Sequence, residues 1–190
     1  MKLYTIIGGV TGTGKSSLTG VLKTRLHDLG QIIDVDKITA QNGGNAIQGS
    51  KLALERIQES LDKGLSFTQE TTLSGRRTET TAAEAKRLGY VIRLYYVGLD
   101  SLAECKARIA NRVRHGGHDI PDEVVARRFE GRWEALGRVL PYCDEAHFFD
   151  NDNGFAEVAE YINGELIPKG ERRPAWLREL VDYLGRASSF

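Results

Sequence analysis

Apolar positions along the chain fall into two alternating kinds of run. Leu3-Tyr4-Thr5-Ile6-Ile7 is a continuous, β-rich stretch closed by glycines, which predicts a strand buried on both faces. From Lys15 the pattern changes. Leu18, Val21, Leu22, Leu26 and Leu29 recur at helical spacing until Gly30 supplies a stop. Ile32 to Asp36 predicts a second strand that ends in acids. Residues 49–61 predict a helix on Leu52, Leu54, Ile57 and Leu61, residues 65–70 a third strand, and residues 74–88 a helix ended by Gly89. Residues 90–97 form the clearest strand. Ser101 is the expected N-cap of the next helix, with Glu104 completing a capping box. That helix carries Leu102, Cys105, Ile109 and Val113 and is broken between His115 and Pro121. A further helix opens near Pro121 with a stripe of Val125, Phe129, Trp133, Leu136 and Leu140. Residues 147–149 read as a last short strand and residues 155–167 as a last core helix.

Strands alternating with helices imply an α/β, three-layer fold: a parallel sheet of about five strands covered on both faces. The domain is expected over residues 1–167. From Pro168 the composition turns charged. Trp176, Leu177, Leu180, Val181 and Leu184 then share one side of a terminal helix within a tail of residues 168–190. That helix is expected to pack back on the domain; the alternative is a partner-binding appendage.

Composition narrows the class. With 26 basic and 26 acidic residues the formal net charge is zero, which argues against a dedicated nucleic-acid binder. Two cysteines in 190 residues do not make a disulfide scaffold. No stretch has the length of a membrane span, and the run from Leu3 to Val10 leads into a glycine loop, not a cleavage site. The expected location is the cytoplasm, with no membrane partner.

The glycine loop carries the chemistry. Gly9-Val10-Thr11-Gly12-Thr13-Gly14-Lys15-Ser16 fits G-x-x-x-x-G-K-S between a predicted strand and a predicted helix. Its glycines let successive N–H groups converge on phosphate oxygens, and the positive end of the following helix adds attraction. The expected nucleotide cradle is Gly9, Thr11, Gly12, Thr13, Gly14, Lys15, Ser16 and Ser17. Lys15 is the mobile charge for the β- and γ-phosphates, and Ser16 offers its hydroxyl to Mg²⁺.

Other residues bear on the acceptor. Asp36, at the carboxyl end of the second predicted strand, is the candidate general base or hydroxyl orienter; the bland reading is a helix N-cap or a water-linked magnesium contact. Asp34 ranks below it as a group behind the metal. Glu70, Thr71 and Thr72 end the third strand and can hold the hydroxyls of a sugar or nucleoside, while Arg76 is a candidate for an acceptor phosphate. Arg108, Arg112, Arg114, Arg127, Arg128 and Arg132 surround a Gly116-Gly117 hinge. They define a helical lid over about residues 108–132. Arg112 and Arg128 are singled out there as candidates to stabilise the transferring phosphoryl group. His118 is a candidate for ordering the hinge or touching ligand. An Asn-Lys-x-Asp string for guanine is lacking, so a switch GTPase is disfavoured. The reading is a small-molecule kinase using ATP and Mg²⁺; the alternative is a regulatory or assembly ATPase.

Taken together, these pieces resemble the zeta-toxin family of P-loop kinases, in particular its small stand-alone members. The resemblance rests on Gly9 to Ser16, Asp34 to Asp36, Ser66 to Gly75, Gly89-Tyr90, Arg112-Val113, Gly116 to Pro121, Arg127 to Phe129 and Asp150-Asn151. It implies transfer of the ATP γ-phosphoryl group to a hydroxyl of a sugar nucleotide such as UDP-N-acetylglucosamine. Lys15 would be the phosphate-binding lysine, Asp36 the base, Glu70 a sugar-nucleotide contact and the lid arginines the charge stabilisers. An antitoxin partner belongs to such a family, although no antitoxin-binding segment is legible in this chain.

Overall fold

A computed structural model describes residues 1–117 and 119–187. The apolar run at the start is β1 (Leu3–Gly8), buried along its whole length. It lies inside one sheet with β2 (Gln31–Asp34), β3 (Phe67–Thr71), β4 (Val91–Gly98), β5 (Glu145–Asp150), β6 (Ala156–Ile162) and β7 (Glu165–Pro168). The strand order is β2-β3-β1-β4-β5-β6-β7. Strands β1 to β5 are parallel, as expected, and β6 and β7 extend the sheet in antiparallel fashion.

The helices are α1 (Lys15–Arg25), α2 (Val35–Gln41), α3 (Ala46–Lys63), α4 (Arg77–Arg87), α5 (Leu102–Arg114), α6 (Asp122–Glu130), α7 (Arg132–Val139) and α8 (Ala175–Ala187). Alternation along β1 divides the core, because successive side chains leave a strand on opposite faces. Tyr4 and Ile6 join a large cluster with α3, α4, α7 and α8. Ile7 points the other way and packs with Leu18 and Leu22 of α1. A smaller cluster of Leu99, Cys105, Ile109 and Val125 holds α5 to α6. This is the three-layer P-loop arrangement.

Residues 155–167 are not a helix. Phe155, Val158, Ala159 and Ile162 happen to fall at helical spacing, but Asn163-Gly164 forms a two-residue turn pairing Ile162 with Glu165. Both turn residues have positive φ, 54° and 86°, as a type I′ hairpin requires. The second strand ends at Asp34, because the Asp34 carboxylate accepts from the backbone N–H groups of Asp36 and Lys37 and so starts α2. Asp36 therefore stands on the first turn of a helix, not at a strand end. The helix expected from Pro121 to Leu140 is interrupted at Gly131 between α6 and α7. Helix α1 stops at Arg25, with Leu26 already extended. The Ser101 cap is present, its hydroxyl accepting from Glu104 N at 3.1 Å.

Helix α8 lies on the main core. Trp176, Leu177 and Leu180 are buried with it, whereas Val181, assigned from sequence to the same side, is exposed. A Cβ at Gly98 would come within 2.4 Å of the Trp176 ring, so that glycine makes room for the indole. Truncating a buried tryptophan typically costs about 3–5 kcal/mol. Among the described residues, no helix is long and apolar enough to cross a membrane.

Candidate active site

The fold places the carboxyl ends of β1, β3 and β4 around one crevice, where the strand order reverses. The Gly9–Ser16 loop leaves β1 there. Gly9, Gly12 and Gly14 all have positive φ, and they also have no room for a side chain. A Cβ on Gly9 would lie 2.5 Å from the Val97 carbonyl oxygen, and one on Gly12 2.7 Å from that of Cys105. Gly14 starts α1 in the left-handed conformation with no side-chain cap, leaving the first N–H groups of that helix for a ligand. Internal bonds hold the loop: Thr13 Oγ1 donates to the Val10 carbonyl at 2.9 Å, and Lys15 Nζ donates to the same oxygen at 3.1 Å.

A cleft of about 680 Å³ opens over this loop. It is lined by Thr11, Gly12, Gly14, Lys15, Ser16 and Ser17 of the loop and, from other elements, by Asp34, Asp36, Glu70, Thr71, Thr72, Ser74, Gly75 and Arg76. The arginines Arg108, Arg112 and Arg128 line it as well. Gly9 and Thr13 are in the loop but not on the cleft lining.

Lys15 is only partly shielded from solvent, yet enough protein surrounds it to lower its pKa. Desolvation is the largest cause, opposed by Glu70 and Asp36 and reinforced by Arg128. Arg128 donates to Thr11 Oγ1 at 2.9 Å, and burial lowers its pKa too, against the pull of Asp36. Two cations thus converge on a loop of N–H groups, incompletely repaid by the acids nearby. That surplus of positive charge suits a polyanion.

Glu70, expected to meet the acceptor, directs both carboxylate oxygens at α1. Ser16 Oγ donates to Oε1 at 2.6 Å and Thr19 Oγ1 to Oε2 at 2.8 Å. Its neighbour Thr71 accepts from Leu73 N at 3.0 Å. Leu73 is buried with φ 61°, a conformation that costs a non-glycine residue about 1–2 kcal/mol. The turn it makes swings residues 74–76 to the cleft. Arg76 is largely exposed at the cleft mouth, near Glu79. Asp36 is exposed, and among the described residues its carboxylate accepts no hydrogen bond.

The arginines separate by role. Arg108 donates to the Asn151 carbonyl at 2.6 Å and pairs with Glu104. Arg132 is bound to Glu179 and to the Phe129 carbonyl and stacks on Phe129 and Trp133, joining α7 to α8. Arg114 and Arg127 are exposed. Arg112 and Arg128 line the cleft together with Arg108. His118 lies outside the described residues.

No family model matches the sequence. A protein of Haemophilus influenzae, described as uncharacterized, is 32% identical over 126 residues, 64% of this chain and 88% of its own. The chain belongs to the family of that protein. Among solved structures, one from the PezAT chromosomal toxin-antitoxin system of Streptococcus pneumoniae superposes with a TM-score of 0.66 at 14% identity. It covers 100% of this chain and 86% of that one. The AvrRxo1-ORF1:-ORF2 complex with ATP gives 0.65 at 21% identity, over 94% of this chain and 62% of that one. At such identities the likeness is one of fold, a P-loop NTPase fold.

Two residues of the site were given no role from the sequence: Thr19, which it did not single out, and Asn151, named there only as part of the resemblance. Thr19 lies one helical turn beyond Lys15, and its hydroxyl bonds both the Lys15 carbonyl and Glu70. Asn151 donates from its side chain to the Thr13 carbonyl at 2.8 Å. Neither spacing is diagnostic alone, since both contacts depend on the fold. A separate cluster, His147, Glu157 and Glu160, has the donor types of a metal site. Lys169 Nζ already lies 3.4 Å from Glu157 and 2.8 Å from Glu160, making it an ion-pair network. The thiols of Cys105 and Cys143 are pushed up to about 11 and about 12 by burial, so neither is a nucleophile near neutral pH.

Proposed function

We propose that the chain transfers the γ-phosphoryl group of ATP to a hydroxyl of a small molecule, with a sugar nucleotide such as UDP-N-acetylglucosamine as the leading acceptor. The observation that carries this reading is that one cleft is lined both by the glycine loop and by polar side chains from other elements, among them Asp36, Thr71, Thr72, Ser74 and Arg76. Simple ATP hydrolysis needs only the first. The sugar nucleotide comes from the zeta-toxin resemblance and from the hydroxyls of Thr71, Thr72 and Ser74.

The cradle residues Gly9 and Thr11 to Ser17 would bind the triphosphate, with Lys15 on the β- and γ-phosphates. Ser16 fits a metal site: its proton is taken by Glu70, so the oxygen lone pairs remain for a cation. Magnesium there would neutralise charge on the phosphates. Asp36, exposed and with no hydrogen bond to its carboxylate among the described residues, would accept the proton of the acceptor hydroxyl and aim it at phosphorus. Arg112 and Arg128 would stabilise the equatorial oxygens. Residues 71–76 would hold the acceptor. A neutralising partner protein belongs to the same reading, by analogy with the pneumococcal toxin-antitoxin system.

The test is incubation with labelled ATP and a panel of sugar nucleotides, sugars and nucleosides. A phosphorylated product supports the proposal, and hydrolysis without product across the panel overturns it. Glu70→Gln supplies a second check. An amide can accept from one hydroxyl but presents N–H to the other, which frees the Ser16 hydroxyl to turn. The Mg²⁺ concentration giving half-maximal rate is expected to rise about 10-fold or more. An unchanged magnesium titration would remove Glu70 from that role.

A further inference from the structure

The segment beyond Pro168 has no part in the cleft, yet two of its side chains end on the residue that closes β5. Asp150 is 2% exposed, and a carboxylate so buried needs partners for both oxygens. The Trp176 indole N–H donates to Oδ1 at 3.0 Å, and Arg172 Nη1 donates to Oδ2 at 3.0 Å. Arg172 also reaches the Gly154 carbonyl at 3.4 Å, so it spans the turn after β5. The next residue is Asn151, whose side chain donates to the Thr13 carbonyl inside the cradle, while its own carbonyl accepts from Arg108 of α5.

A peptide unit is rigid and planar, with C=O and N–H opposed. Pinning the Thr13 carbonyl outward on Asn151 therefore turns the Gly14 N–H the other way, toward the phosphate position. Gly14 is shaped to this contact, since a Cβ there would lie 2.4 Å from Asn151 Nδ2. Trp176 makes a second approach. It fills the space over Gly98, beside Val97, whose carbonyl closes on Gly9.

We infer that Arg172 and Trp176 are positioning residues for the phosphate cradle: by fixing Asp150 they fix Asn151, and through it the orientation of the Thr13–Gly14 peptide. The inference rests on the proposed nucleotide role of that cradle. Its benefit is preorganisation, since N–H groups aimed before the anion arrives cost nothing to align on binding.

Two readouts test it on the full chain. The first is deuterium uptake by residues 9–16 in the free protein, which needs no nucleotide. The second is the Kd for Mg–ATP. Arg172 is half-exposed, so Arg172→Gln is compatible with folding. It is expected to speed uptake in the loop and to weaken Mg–ATP binding about fivefold, the loss of one hydrogen bond's alignment. Asn151→Ala is expected to do the same, and the double variant no more than Asn151→Ala alone, because the tail acts through Asn151. Arg172→Lys should retain near-parent values. Should Arg172→Gln lower the melting temperature enough to blur the result, Trp176→Phe keeps a ring over Gly98 and deletes only the N–H; it should give the same two changes. Loop uptake unchanged in Arg172→Gln and Trp176→Phe, or additive losses in the double variant, would overturn the inference. Faster uptake in a protein that does not transfer phosphoryl groups would uphold the clasp and sink the kinase proposal instead.

Discussion

Lys15→Met is expected to abolish phosphoryl transfer while leaving the free protein at least as stable as the parent. The two halves of that result have one cause. Desolvation outweighs the combined pull of Glu70, Asp36 and Asp34 on the Lys15 ammonium, so its folded pKa lies below the ordinary lysine value. A charge held at a net loss contributes instability at neutral pH, and an apolar side chain of similar length removes it. The sign with pH follows. Between the lowered folded pKa and 10.5 the unfolded chain binds more protons at this site, so the parent's stability from this group rises with pH there, and the variant loses that rise. Bound triphosphate would repay the desolvation, and only the parent can collect it. Mg–ATP at a hundredfold excess over Kd should raise the parent's melting temperature by about 5–10 °C and leave the variant's unmoved. The transfer rate should fall by at least about 10²–10³-fold. A variant that turns over normally would show that the loop from Gly9 to Ser16 is not the cradle.

Asp36→Asn is expected to bind Mg–ATP with little change and to transfer about 10²–10⁴-fold more slowly. The capping bonds that start α2 use the Asp34 carboxylate, so the amide at 36 disturbs no element of the fold. An asparagine can still accept a hydrogen bond from a hydroxyl but cannot take its proton. The loss should therefore fall on kcat, with the KM for ATP held. Parent-like kcat with saturating acceptor would give the base's role to another group. Asp34→Ala is the contrast: it removes the cap of α2, worth about 1 kcal/mol, and should show first in melting temperature.

The parts of the site that follow from spacing in the chain were legible without a structure, and those that follow from pairing between strands were not. Gly9 to Ser16 announces itself because the cradle is a local turn, and each glycine answers a local demand on φ. The contact of Glu70 with Ser16 depends on β3 lying beside β1 in a register that sets Ile7 against Glu70. No periodicity encodes that register. Asp34 and Asp36 were candidates two residues apart; both line the cleft, and which of them caps α2 turned on where β2 stops, the least readable feature of any element. The misreading at 155–167 is of another sort. The apolar residues there suit either period, and the deciding signal was the Asn163-Gly164 pair, a turn of only two residues. Trp176 read correctly as apolar and inward, but that its N–H meets a buried acid on β5 could not be inferred from its own helix.

The hairpin also sets how the sheet ends. Its outermost strand is the four residues Glu165–Pro168, and the opposite border, Gln31–Asp34, is equally brief. The final residue of the hairpin is a proline, which has no N–H to offer a newcomer. Neither margin is long enough to template another strand, so crowded copies of the chain find no ready seam along which to polymerise.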